Sequence, residues 1–166
     1  MLGEFTEVSA RLATRIDAWH NTDTGETMPV DAPDWISVVG RLAGGAEVAF
    51  LVTTVPHSPS GNRLEIYERE GTLVIAGGTP NIGPSHLFAA RGDEPLTALA
   101  IPEHFTLVPD RVPAGPPRNV AQAYAHLARA FSAGERFDTD FAHAVTRHAL
   151  IAAIERSAAE GRAISV

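Results

Sequence analysis

The sequence predicts an α+β fold: an open, mainly antiparallel β-sheet with helices packed on one face and the other face used for oligomerisation. Strand-like segments come first and helical ones last, an order that suits a meandering sheet with segregated helices. Two pairs of apolar segments flank glycine turns, at Gly44-Gly45 and Glu70-Gly71, as hairpin strands do. The chain then closes on a run from Phe141 without Gly or Pro. That run is preceded by Asp138-Thr139-Asp140 and stopped by Gly161, the start and stop signals of a helix.

Thr6 to Ile16 alternates, with Val8, Ala10 and Leu12 on one side and Glu7, Ser9 and Arg11 on the other, a half-buried strand. Asp17 to Pro33 is polar and carries Gly25, Pro29 and Pro33, so it reads as a long loop. Trp35 to Leu42 and Ala46 to Val55 are strands apolar on both faces, the pattern of strands covered on both sides. Pro56 to Gly61 is a second loop. Arg63 to Glu68 and Thr72 to Ala76 form the next hairpin, and Gly77 to Pro84 is irregular. His86 to Ala90 and Leu96 to Ile101 are weaker strands, and the proline-rich Pro102 to Pro117 runs over the surface.

Asn119 to Ser132 reads as a helix, because Val120, Tyr124, Leu127 and Phe131 recur at helical spacing, and Gly134 ends it. On the last helix, Phe141, Val145, Ala149 and Ala152 share one side. Leu150, Ile151 and Ile154 lie round toward the other and offer a second stripe to a neighbour. Two-sided strands with helices on one face leave an apolar sheet surface, which either a two-fold dimer or the segments Gly77 to Pro117 would cover.

The chain has 166 residues, 45% hydrophobic and 20% charged, which suits a single folded domain over 1–166. A net charge of −7 argues against nucleic acid or an anionic membrane as the main partner. No apolar run reaches membrane-spanning length and no leader pattern opens the chain, so a cytoplasmic protein is expected. With no cysteine, thiolate chemistry and cysteine zinc sites are excluded. All thirteen basic residues are Arg, so no lysine can form a Schiff base or act as a general acid.

Few motifs carry chemistry. Gly77 to Gly83 is glycine-rich, but Pro84 stands where a phosphate loop needs Lys, and Pro80 bars a dinucleotide fingerprint entering a helix. His143 and His148 are five apart, wrong for a zinc pair on a helix, so no metal site is expected. The pair Asp138/Asp140 is accounted for by helix capping and Glu68/Glu70 brackets a turn, so no acid/base dyad stands out. The polar loops at one end of the sheet are the best place for a ligand, with His20, Asn21, His57, Arg63 and Tyr67 as substrate-binding candidates.

The C-terminal tail and several upstream pieces resemble a known family in order. These are the Gly44-Gly45-Ala46 turn, Leu64 to Leu73 with Glu70-Gly71-Thr72-Leu73, Phe141 to Val145, His148, Ala153 to Ala158, Gly161-Arg162 and Ile164 to Val166. Together they resemble the C-terminal half of the glucose-fructose oxidoreductase / inositol dehydrogenase / MocA (Gfo/Idh/MocA) family. The resemblance implies hydride transfer between a polyol or sugar and NAD or NADP in a full-length parent. It also implies a sheet face used in homo-oligomers and a Rossmann domain, in cis or in trans, against Leu150, Ile151 and Ile154. The family's Gly-rich cradle, Glu-Lys-Pro segment and Asp-x-x-x-His motif are not in these 166 residues. The chain by itself is therefore expected to hold no cofactor, to contribute no catalytic residue and to transfer no hydride. Two alternatives stand beside this reading: a stand-alone dimeric module that binds a small ligand or regulates a relative, and a self-sufficient enzyme using His and carboxylates.

Overall fold

The structure is a computed structural model, and it describes residues 2–54, 61–78 and 85–166. The described residues fall into two compact units, residues 1–57 with 138–166 and residues 58–137. Each is built from antiparallel strands and one α-helix, so the α+β class holds.

The first unit contains β1 (Phe5–Ala13), β2 (Ala18–His20), β3 (Thr27–Pro29), β4 (Trp35–Leu42) and β5 (Glu47–Thr53). From the other end of the chain come α2 (Phe141–Glu160) and β10 (Ile164–Ser165). The sheet order is β10-β1-β4-β5. The alternation read in β1 is real: Val8 and Ala10 are buried and cluster with Val38, Ala153 and Ile164. β1 bulges between Phe5 and Glu7, and there β4 carries Gly40. A Cβ on Gly40 would stand 2.6 Å from the Glu7 carbonyl oxygen, closer than any side chain tolerates.

Helix α2 starts and stops as the sequence indicates. The Asp140 carboxylate accepts a hydrogen bond from the His143 N–H at 2.9 Å, and Gly161 ends the helix in the left-handed conformation. Its burial is the reverse of the expected one. Leu150 and Ile154, partly buried, pack on the unit's own core beside Ala153. Phe141 and Val145 are 93% and 70% exposed, and Ile151 is the one member of the expected outer stripe that stays exposed. Small side chains settle the rotation. Ala153 and Ser157 let the helix approach β1, where the Ser157 hydroxyl accepts from the Ala10 N–H at 2.9 Å. The same hydroxyl donates to the Arg162 carbonyl at 2.7 Å. The strand β10 pairs with β1 only at Glu7 and Val8, so this hydroxyl serves the backbone donor that β10 leaves beyond its reach.

One further expectation changes. The stretch from Asp17 to Pro33 is not a plain loop, because it folds into the β2–β3 ribbon with Trp19 opposite Met28. On the face away from α2, Trp35, Val39 and Leu51 of β4 and β5 are 38%, 55% and 52% exposed.

The second unit contains β6 (Asn62–Glu68), β7 (Gly71–Gly77), β8 (Ser85–Arg91) and β9 (Thr97–Leu99), paired in that order. A short 3-10 turn at Glu103–Phe105 and helix α1 (Pro116–Ala133) follow. Proline at the first helical positions extends α1 back to Pro116, since proline lacks only a donor that is unused there. The helix is tied to the preceding segment. The Gln122 side chain donates to the Phe105 carbonyl and accepts from the Leu107 N–H, and the Arg118 guanidinium donates to the Val112 and Asp110 carbonyls. Its apolar row does not form a core: Val120, Tyr124 and Phe131 are 55%, 68% and 83% exposed. Val74, in the central strand β7, is the deepest residue of this unit.

Candidate functional site

Strand β6 lies at the edge of its sheet, so one of its long sides is unpaired. Residues two apart on a strand share a face. Arg63, Glu65 and Tyr67 therefore line up, and the structure connects them. The Arg63 Nε–H donates to Glu65 Oε1 at 2.7 Å, and the Tyr67 hydroxyl donates to Glu65 Oε2 at 2.8 Å. One carboxylate holds two side chains side by side on an exposed surface. Next to the row, cross-strand register sets Arg63 level with Ala76 and His86, and Glu65 level with Val74 and Phe88. The polar row thus shares its face with Ala76, Val74 and Phe88, and with His86.

The trio's protonation follows from these bonds. The Tyr67 hydroxyl first, then Arg63, hold the Glu65 carboxyl below its ordinary range. The ionised Glu65 in turn pushes the Tyr67 hydroxyl above its ordinary value. Near neutral pH the row presents a guanidinium, a carboxylate and a protonated phenol, with no group poised to exchange a proton. The row presents hydrogen-bond donors and an ionised acceptor at the surface.

The predicted ligand residues are distributed as follows. Arg63 and Tyr67 are brought together through Glu65, which the sequence reading passed over as a ligand residue. The period-2 spacing of the three was the signal that could have found it. His20 and Asn21 sit at the tip of the β2–β3 ribbon in the first unit. His20 is exposed at the strand end, level with Thr27. The Asn21 side-chain oxygen accepts from the Asp23 and Thr24 N–H groups and so builds the turn. His57 lies outside the described residues, as does most of the glycine stretch from Thr79 to Gly83.

At the base of that ribbon, Asp34 is buried. Its carboxylate accepts from the Arg15 N–H at 2.8 and 2.9 Å and from the Ile16 N–H at 2.7 Å, which pins the chain as it leaves β1. Among the described residues no His, Asp and Glu side chains group closely enough to hold a metal ion, and no helix is long and apolar enough to cross a membrane.

No protein-family model and no curated protein sequence matches this chain. Solved structures do. Levoglucosan dehydrogenase in complex with NADH and levoglucosan superposes with a TM-score of 0.78 at 23% identity, covering 98% of this chain and 45% of that one. An NAD binding oxidoreductase from Klebsiella pneumoniae gives 0.80 at 18% identity, over 98% and 46%. An aldose-aldose oxidoreductase from Caulobacter crescentus complexed with glycerol gives 0.69 at 20% identity, over 99% and 42%. These are Gfo/Idh/MocA-type oxidoreductases, and this chain has their fold over nearly its whole length, consistent with their C-terminal domain. It spans less than half of each.

Proposed function

We propose that this chain is the substrate-contact and oligomerisation domain of a cytoplasmic NAD(P)-dependent oxidoreductase acting on a sugar, polyol or related hydroxy compound. The fold likeness carries this reading: nearly all of the chain superposes on less than half of enzymes described with NADH, levoglucosan or glycerol. The nicotinamide cofactor and the group that moves the proton are supplied outside these 166 residues, since the sequence holds neither a glycine cradle entering a helix nor a lysine. The domain contributes a binding surface, with the Arg63-Glu65-Tyr67 row as the part that meets hydroxyl groups. Such a row suits a neutral polyol, because guanidinium and phenol donate while the carboxylate accepts.

The oxidoreductase's cofactor domain would dock along the exposed side of α2 at Phe141 and Val145. Leu150 and Ile154 are partly buried on the unit's own core, whereas Phe141 and Val145 are largely exposed.

Amide NMR of the 166-residue chain, titrated separately with glycerol, glucose, inositol and NADH, tests the reading. Shifts at Arg63 and Tyr67 with a polyol, and none with NADH, are expected. Saturable NADH binding, or turnover of NAD(P) with any polyol, would overturn the assignment of the cofactor to another segment. Absence of any polyol response at β6 would overturn the substrate surface.

A further inference from the structure

Glu65 does more in the edge row than join its neighbours. A guanidinium holds a carboxylate best through its fork, two parallel N–H groups along one edge. In Arg63 that edge is turned along the strand: Nε and Nη2 both lie on Glu65 Oε1, at 2.7 and 2.5 Å. The other carboxylate oxygen accepts from the Tyr67 hydroxyl at 2.8 Å. The Tyr67 hydroxyl first, then Arg63, keep Glu65 ionised near neutral pH. All three residues belong to β6, so their geometry is set within one strand of one unit.

Cross-strand register places Thr72, Val74 and Ala76 of β7, and Phe88 and Ala90 of β8, on the same side as the row, and none is charged. His86 is level with Arg63 but two strand spacings away, about 10 Å. Among the described residues of β6 to β8, Glu65 is therefore the one carboxylate on this face. Its charge balances that of Arg63. An anionic ligand meets an Arg63 fork already taken, with a second carboxylate beside it. A hydroxyl ligand meets usable groups: Glu65 Oε2 keeps a lone-pair site, the Tyr67 oxygen can accept, and the Nη1 end of Arg63 can donate.

We propose that Glu65 is the specificity-determining residue of this surface: it admits uncharged polyols and turns away sugar acids and sugar phosphates. This rests on the row being the substrate surface and adds the residue that sets its selectivity. Selectivity of this kind needs a repulsive element as well as attractive ones, and Glu65 supplies it. A single substitution should then act as a switch. In Glu65→Gln the side chain keeps its length but loses its charge, and one acceptor oxygen cannot serve both neighbours. The Arg63 fork is released to the ligand.

Amide NMR titrations of the 166-residue chain with sorbitol and with gluconate test it, and the spectra also confirm that each variant folds. The two ligands share a carbon chain and differ at one end, a hydroxymethyl group against a carboxylate. The wild type should bind sorbitol at least as tightly as gluconate. Glu65→Gln should move the ratio of dissociation constants toward gluconate by about fivefold or more, the weight of one unit-charge interaction at about 4 Å in water. The double variant R63Q/E65Q should lose that gain. Glu70→Gln changes the net charge equally, but it lies beyond the end of β6, more than about 10 Å along the strand from Glu65. At physiological salt, where screening acts over about 8 Å, it should leave the ratio within about twofold. A wild type that prefers gluconate, an unchanged ratio in Glu65→Gln, or an equal change in Glu70→Gln would overturn the role of Glu65 while sorbitol binding leaves the substrate surface standing. If neither ligand shifts β6 in any of these chains, the substrate surface falls and the role of Glu65 falls with it.

Discussion

In α1, Val120, Tyr124, Leu127 and Phe131 gather on one side and remain 41% to 83% exposed. In α2 the apolar residues are spread around the helix, yet one side is buried down to Ala153 and Ser157 at 5% and 1%. An amphipathic pattern states that a helix has a side to cover; it does not name the cover. What seats α2 is the ability to come close. Ala and Ser at the contact allow helix and strand backbones to approach, and the Ser157 hydroxyl satisfies a strand donor that would otherwise be orphaned. The row on α1 is bulky and has no such anchor, and its hydrogen bonds go to the connecting segment instead.

The sharpest attack on this contrast is to hollow the covered side. Ile164, 1% exposed in the core of the first unit, should cost about 2–5 kcal/mol on Ile164→Ala, read by urea unfolding. Ser157→Ala should cost about 1–3 kcal/mol, because it leaves the buried Ala10 N–H without that partner. If Ser157→Ala is neutral, close packing alone seats the helix and the hydroxyl is incidental. On the uncovered side, Phe131→Ser should change stability by less than about 0.5 kcal/mol, as exposed substitutions do. A loss near that of Ile164→Ala would show that α1 is covered after all.

The mildest test concerns the edge row. Glu65 is depressed in the folded state, so its bonds favour folding above the ordinary carboxyl range, and that preference fades as pH falls through its lowered value. Tyr67 is raised, so its share is complete below the ordinary tyrosine range and fades as pH rises through the raised value. Between those limits the row is intact. Tyr67→Phe removes the first cause of the Glu65 depression, and a carboxyl NMR titration should find Glu65 returned toward its ordinary value with little change in stability.

How far the sequence reached follows the same division. Strand limits at Trp35 to Leu42, both helix stops and the alternation in β1 were legible because each depends on neighbours in sequence. The β2–β3 ribbon was hidden, since its strands are three residues each and its turn is closed by Asn21 in a segment full of loop-forming residues. The rotation of α2 is not legible in its large apolar residues, because the two small ones, Ala153 and Ser157, decide it. For the edge row, Arg63 and Tyr67 were singled out as ligand residues. The carboxylate joining them required the strand's period to be applied to Glu65 as well.

The first unit is discontinuous along the chain: its strand β1 is completed by α2 and β10, with the whole second unit spelled out in between. On a ribosome, β1, β4 and β5 emerge early and must wait with their apolar side bare until residue 164 has been made. The intervening unit, all local hairpins, can form meanwhile. Pairing Val8 with Ile164 closes a very long loop, the kind of contact that slows folding most. Residues 141 to 165 are thus the ones that end the exposure of the strands before them.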